Sequence, residues 1–357
     1  MTMKVPLCVA VFVLTAGAIA WGVLSDVQDA RLQLSLTSIE AAEEEIPYVG
    51  TRVLGGAQRV KLRIWSRNGH KRVEFLALEG SSSPPARPSG LHGPFGTGLP
   101  VFLRPGHDQW KRKIKDAALA VRNYEILGAG RDTVAGRSCD VLEIKARHEG
   151  RPSYRVAIDA ENRFPLRYEV LSNGRAVFET WFSDIEYRPA LPPRTFDERT
   201  RPNWLEVSQE EVAVERMTEA AGFSVLRPTN LPEGFELRGS EVLHLKAEIS
   251  KELRETVRPF LPFAIPSFSA AVTHLTYTDG LAAVALVECS SSSELWLHLK
   301  KFLPPAGAGT AGAIVARKFA DRGGTAYLLE HEGTVVLAAG NVAPEQIELM
   351  IQSLQRR

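Results

Sequence analysis

The sequence predicts an α+β protein, with a mainly antiparallel sheet in its first half and a smaller α+β domain in its second. Three observations carry this. Strand-forming runs recur from Arg59 to Tyr187 with short turn signals between them; the stretch "ALPPRTFDERTRPNW" then breaks the pattern with proline and charge; beyond it helical and strand-like runs alternate. A chain of 357 residues is long enough for two domains, at roughly 100 to 200 residues each. Its composition, 44% hydrophobic and 24% charged, is that of a globular protein.

The N-terminus opens with "MTMKVPLCVAVFVLTAGAIAWGVLSD": one lysine, then an uncharged, mostly apolar run from Val5 to Leu24. This reads as an export signal at residues 1–24, with Ala18-Ile19-Ala20 as the small-x-small pattern favouring cleavage before Trp21. The alternative is an uncleaved membrane anchor, because the run is just long enough to span about 30 Å of hydrocarbon. Cys8 lacks the preceding small residues of a lipoprotein signal, so no N-terminal lipidation is predicted. The expected location is therefore periplasmic, or inner-membrane anchored if the signal stays. An exported compartment permits a disulfide between Cys139 and Cys289; two buried thiols are the other reading.

Residues 25–190 form the expected first domain. Asp26 to Glu45 is charged and helix-favouring. In "RVKLRIW", Val60, Leu62 and Ile64 alternate with Lys61 and Arg63, and Asn68-Gly69 then turns the chain into "KRVEFLALEG". Asn and Gly tolerate the positive φ of a tight hairpin turn. Ser81 to Pro100 is rich in Gly, Pro and Ser and reads as a long loop. "DQWKRKIKDAALAVRNYEIL" begins as a helix and ends as a strand.

Four more strands are expected in "CDVLEIKAR", "SYRVAID", "FPLRYEVL" and "AVFETWFSDIEY". Short connections make such neighbours antiparallel. Alternation puts Tyr154, Val156 and Ile158, then Leu166, Tyr168 and Val170, then Phe178 and Phe182 on one apolar face. Arg155, Asp159, Arg167 and Glu169 fall on the wet face.

Residues 191–205 are the expected linker and 206–357 the second domain. Ser208-Gln209-Glu210-Glu211 reads as a capping box starting a helix that Gly222 ends. Leu245 to Arg258 looks helical. In "THLTYTDGLAAVALVE" two strand-forming runs meet at Asp279-Gly280. Taken as a two-residue turn, that pair places Thr278 opposite Leu281, Tyr277 opposite Ala282, Leu275 opposite Val284 and Thr273 opposite Leu286. Leu275, Tyr277, Val284 and Leu286 then share one apolar face. Leu295 to Phe302 suggests a short helix; strands "AYLLEHEG" and "TVVLAAG" and a helix from Pro344 close the chain.

Charge and motifs narrow the function. Lys plus Arg number 43 against 42 Asp plus Glu, a net charge of +1, which lacks the basic footprint of a nucleic-acid binder. The sequence has no phosphate loop, paired CxxC, HExxH or GxSxG. "GAGTAG", Gly307 to Gly312, matches a dinucleotide spacing but precedes the strand-like "AIVARKF" instead of a helix. The eight histidines are scattered without ligand spacing. No catalytic residue, metal or cofactor is expected; the chain reads as a protein that recognises and does not react.

The order of these features resembles the MucB/RseB family of exported regulators of extracytoplasmic-function sigma factors. "IPYVGTRVL", "RVKLRIWSRNGHKRVEFLALEG" and the segment from "VAGRSCDVLEIKARHEG" to "VFETWFSDIEY" are similar to its first domain; "NLPEGFEL" followed by "THLTYTDGLAAVALVE" is similar to its second. The resemblance implies a first domain like the LolA and LolB lipoprotein carriers, an unclosed antiparallel β-barrel covered by helices with an apolar concave face.

The resemblance also implies binding to the periplasmic segment of a membrane-spanning anti-sigma factor. A lipid, lipopolysaccharide or lipoprotein acyl chain in the apolar cavity would loosen that complex. Mapped onto this sequence, the cavity face comprises Leu62, Ile64, Phe75, Tyr154, Val156, Ile158, Leu166, Tyr168, Val170, Phe178 and Phe182. Tyr277, Asp279, Gly280 and Leu281 are the candidate partner-binding residues. Two other readings stand beside this one: a LolA-type lipoprotein or lipid carrier, and a structural module held by an uncleaved N-terminal helix.

Overall fold

A computed structural model describes residues 36–39, 41–43, 45–55, 59–68, 70–79, 116–196, 205–248, 267–300, 309–311, 314–321 and 324–356. The expected signal or anchor, the Ser81–Pro100 loop and most of the 245–258 helix lie outside these residues. Among them no helix is long and apolar enough to cross a membrane.

The first half builds one antiparallel sheet from β1 (Tyr48–Leu54), β2 (Arg59–Arg67), β3 (His70–Glu79), β4 (Tyr124–Val134), β5 (Arg137–Ala146), β6 (Ser153–Asp159), β7 (Pro165–Ser172) and β8 (Arg175–Tyr187). Its order is β3-β2-β1-β8-β7-β6-β5-β4. The first and last strands of that order do not pair with each other, so the sheet is unclosed. The positive φ at Asn68 makes the expected tight turn, and the positive φ at Asn173 and Gly174 makes a second. Ala135-Gly136 makes another that composition did not signal.

Helical residues 36–39 and 41–43 and helix α1 (Ala117–Asn123) cover the sheet. Asp116 caps α1, its carboxylate accepting from the Leu119 N–H at 2.8 Å.

The second half holds a sheet ordered β14-β15-β16-β17-β13-β12-β11-β9. These are β9 (Leu205–Glu211), β11 (Glu236–Ala247), β12 (Phe268–Thr278), β13 (Ala283–Ser290), β14 (Gly309–Ala311), β15 (Ile314–Asp321), β16 (Gly324–His331) and β17 (Thr334–Gly340). A separate pair joins β10 (Leu226–Pro228) to β18 (Leu354–Arg356). Helices α2 (Met217–Ala221) and α4 (Pro344–Gln352) cover one face through Met217, Ile347, Met350 and Ile351. Trp296 of α3 (Glu294–Leu299) packs on the other. Both faces are therefore dry in the middle, and every residue of β17 is buried.

Several local expectations are corrected. Ser208–Glu211 belongs to edge strand β9 and not to a helix; the helix ended by Gly222 is α2, and Gly222 does adopt a left-handed φ of 74°. Pairing with β11 along its whole length overrides the capping-box pattern. Leu245 to Ala247 close β11.

In the Asp279-Gly280 hairpin the observed partners are Thr278 with Ala283, Tyr277 with Val284, Leu275 with Leu286 and Thr273 with Glu288. The register is two residues away from the expected one, and the turn spans 279–282. A shift of two leaves every side chain on its face, so Leu275, Tyr277, Val284 and Leu286 are all buried in one cluster as expected.

Asp159 is not on a wet face: it is buried, accepts from Arg137 and from the Tyr187 hydroxyl at 3.0 Å, and receives the Glu161 N–H at 3.0 Å. Arg155, Arg167 and Glu169 do face outward, paired as Arg155–Glu169 at 3.3 Å and Arg167–Asp132 at 2.7 Å. Cys139 and Cys289 are both free thiols.

Candidate functional site

The apolar residues expected to share one concave face fall into two separate clusters. Tyr154, Val156, Ile158 and Val170 are buried with Leu36, Ile39, Ala120, Tyr124, Ile126 and Ile144; Tyr168 and Phe178 pack at the edge. Ile64, Leu166 and Phe182 are buried with Tyr48 and Phe164, and Leu62 packs beside them.

Leu166 leaves its expected neighbours because of a bulge: Ala157 pairs with Arg167 but Ile158 with Pro165, so Leu166 is the extra residue. Phe75 lies opposite Leu62 in the β2–β3 register. Ring contacts tie each cluster together: Tyr124–Tyr154 at 6.0 Å and Tyr154–Tyr168 at 5.5 Å in the first, Tyr48–Phe164 at 4.8 Å and Tyr48–Phe182 at 5.6 Å in the second. Burial raises the phenol of Tyr168, and it raises those of Tyr124 and Tyr154 well above the usual range.

The other singled-out residues meet the first domain. Tyr277 is buried in the second-domain core. The turn beyond it enters the surface formed by α1 and the β5–β6 connection. Asp279 is fully buried, and its carboxylate accepts from Arg151 Nη1 at 3.0 Å and from the Tyr124 hydroxyl at 3.0 Å. Its backbone carbonyl accepts from Asn123 Nδ2 at 3.0 Å. Gly280 lies so close to α1 that an added Cβ would stand 2.3 Å from the Ala120 nitrogen, and its φ is +104°. Leu281 packs against the cluster containing Tyr154, Val156 and Ile158.

The electrostatics of this contact are those of a buried ion pair. The side chains of Arg151 and Asp279 are 1% and 0% exposed. Burial raises the Asp279 carboxyl and the Arg151 guanidinium opposes that shift. Arg151 also lies 4.8 Å from the centre of the Phe235 ring and donates to the Glu233 carbonyl. Surrounding contacts extend the junction: Asn341 Nδ2 donates to the Tyr154 hydroxyl at 3.2 Å, Ala343 N–H to the Gly150 carbonyl at 2.7 Å, and Arg122 pairs with Glu236 at 2.9 Å. Sequence reasoning did not single out Arg151, Tyr124 or Asn123. They bear no motif, and their roles come from a partner more than a hundred residues away.

Among the described residues no three His, Cys, Asp or Glu side chains converge on a metal position. Chemically, the site is a buried apolar cluster bordered by the Arg151 guanidinium and the Tyr124 hydroxyl.

Comparison with known proteins follows the two-domain layout. A structure of the Pseudomonas aeruginosa MucA/MucB complex matches with a TM-score of 0.54 at 17% identity, covering 92% of this chain and 99% of that one. A structure of MucB with MucA(peri) matches with a TM-score of 0.53 at 19% identity, covering 91% and 99%. A structure of MucB matches with a TM-score of 0.52 at 17% identity, covering 92% and 98%. At these identities the likeness is one of fold. No curated protein sequence matches the chain. The MucB/RseB N-terminal domain profile matches residues 32–200, so the first half of the chain carries a domain of the MucB/RseB N-terminal type.

Proposed function

We propose that the chain is a non-enzymatic, exported regulator of an envelope-stress sigma factor. It binds the periplasmic part of a membrane-spanning anti-sigma factor and senses a lipid or lipoprotein acyl chain on the apolar face of its first sheet. The observation that carries the reading is the end-to-end likeness to MucB, seen in complexes with MucA and MucA(peri). A likeness confined to the first domain would favour a carrier; here both halves take part.

The apolar clusters around Tyr154 and Phe182 support the sensing role. Acyl surface removed from water there gains about 25 cal/mol per Å², enough for useful affinity without covalent chemistry. Export rests on the apolar run at residues 5–24.

The test is a pull-down of the mature chain against periplasmic fragments of single-span membrane proteins, repeated with added lipid. Retention of an anti-sigma fragment, reduced by the lipid, is expected. Failure to retain any such fragment, together with transfer of a lipoprotein to an acceptor, would replace the regulator by a LolA-type carrier.

A further inference from the structure

The turn at residues 279–282 presents two different groups to the first domain. Asp279 brings a carboxylate to Arg151 Nη1 and the Tyr124 hydroxyl, each at 3.0 Å. Two residues on, Leu281 lays an isobutyl group on the cluster of Tyr124, Tyr154, Val156, Ile158 and Val170. An anionic head beside an apolar tail is the chemistry of a single-chain amphiphile.

We propose that Arg151, Tyr124 and this apolar cluster form a binding site for an anionic single-chain amphiphile, and that Asp279 and Leu281 occupy it as an internal surrogate the ligand displaces. The inference rests on the reading that an acyl group enters the first domain, and it adds the headgroup class and the means of coupling to the second.

Charge balance supplies the selectivity. The Arg151 side chain is 1% exposed with the turn in place; withdrawing the turn takes away its counter-ion, which is costly wherever the guanidinium stays enclosed. An entering carboxylate or phosphate restores the balance; a neutral lipid does not. Arg151 Nε has no hydrogen-bond partner among the described residues, so the guanidinium has a donor left for a second anionic oxygen.

Displacement is also felt at a distance. The Asn123 bond to the Asp279 carbonyl leaves with the turn, and the Asn341 bond to Tyr154 lies on the same junction. Ligand entry therefore parts the domains at this point, which gives a route from the first-domain site to a partner held by the second.

The test uses the full mature chain and the fluorescent probe dansyl-undecanoic acid beside its neutral methyl ester. The variants are Asp279→Asn and Leu281→Ala, each checked for a cooperative thermal transition. Asn keeps an oxygen for the Leu281 and Ala282 N–H groups, so the turn itself persists while the charge is lost. Wild type should prefer the acid over the ester, and Asp279→Asn should bind the acid about tenfold more tightly than wild type, the scale of one charge-assisted hydrogen bond. Leu281→Ala should tighten binding of both probes.

Equal wild-type affinity for acid and ester, or unchanged affinities in the folded variants, would overturn the shared site while leaving acyl sensing intact. If Asp279→Asn does not fold, unchanged affinity in Leu281→Ala alone overturns it. If neither probe binds wild type or either variant, the acyl-sensing reading itself falls and this inference with it.

Discussion

Glu288 offers a quantitative test of the second-domain core. It lies in β13, the strand between β12 and β17, opposite Thr273 and Val336. The residue is 1% exposed; one oxygen accepts from the Leu226 N–H at 3.0 Å, and Oε1 has no hydrogen-bond partner among the described residues. Burial among apolar neighbours pushes its carboxyl from 4.5 up to about 8, against the smaller lowering effect of the Leu226 bond.

The sign follows directly. Between these two values the unfolded chain carries an ionised Glu288 while the folded chain keeps it protonated. The folded state then binds the extra proton, so stability falls as pH rises through this window and levels off above it. At roughly 1.4 kcal/mol for each pH unit, the whole loss is on the order of 5 kcal/mol, comparable to the total stability of a small domain, about 5 to 15 kcal/mol.

Glu288→Gln keeps a carbonyl oxygen for Leu226 and cannot ionise. Urea unfolding at a series of pH values from acid to mildly alkaline should show wild type losing stability through the window while the variant profile lacks that loss, the gap being largest above pH 8. Parallel profiles for the two proteins would refute the argument that Glu288 is held neutral in the fold.

Other consequences concern the first domain and the junction. Arg151→Met leaves the Asp279 carboxylate buried without its counter-charge and should cost about 3 to 5 kcal/mol in chemical denaturation; adding Asp279→Asn, which removes the charge and keeps an oxygen for the Leu281 and Ala282 N–H groups, should recover much of it. Gly280→Ala forces a Cβ against the Ala120 backbone at a φ of +104°. The backbone strain alone is about 1 to 3 kcal/mol, and the outcome should be a larger radius of gyration in small-angle scattering with near-native secondary structure by circular dichroism. Ile158→Ala removes a fully buried side chain and should lower stability by about 2 to 5 kcal/mol in urea unfolding.

What the sequence made legible was whatever depends on near neighbours. Alternation identified the strands from Ser153 to Tyr187 and the buried quartet Leu275, Tyr277, Val284 and Leu286, because a period of two reports a face whatever the pairing partner. It failed where pairing interrupts the period: the bulge at Ala157/Ile158 moves Leu166 into a different cluster, and a distant arginine draws Asp159 out of the wet face. Ser208–Glu211 shows the converse, a local helix signal overruled by a ladder to β11. The Arg151–Asp279 pair was not legible, since nothing near Arg151 in sequence records which carboxylate it meets.

The Asp279-Gly280 pair shows how a correct local signal can carry a wrong cause. A two-residue turn would demand glycine for its φ; the observed turn is longer, and Gly280 also has to let α1 approach to within the space a Cβ would take. The carboxylate of Asp279 divides in the same way. Its Oδ1 receives the Leu281 and Ala282 N–H groups at 3.1 and 2.8 Å, contacts that exist within the second domain alone. Its Oδ2 meets Arg151 at 3.0 Å, a contact that needs the first domain. Aspartate rather than asparagine is required only by the second of these roles, because an amide oxygen serves the first equally well. The charge at residue 279 is therefore a property of the junction between the domains, and its removal should loosen that junction while leaving the hairpin that bears it in place.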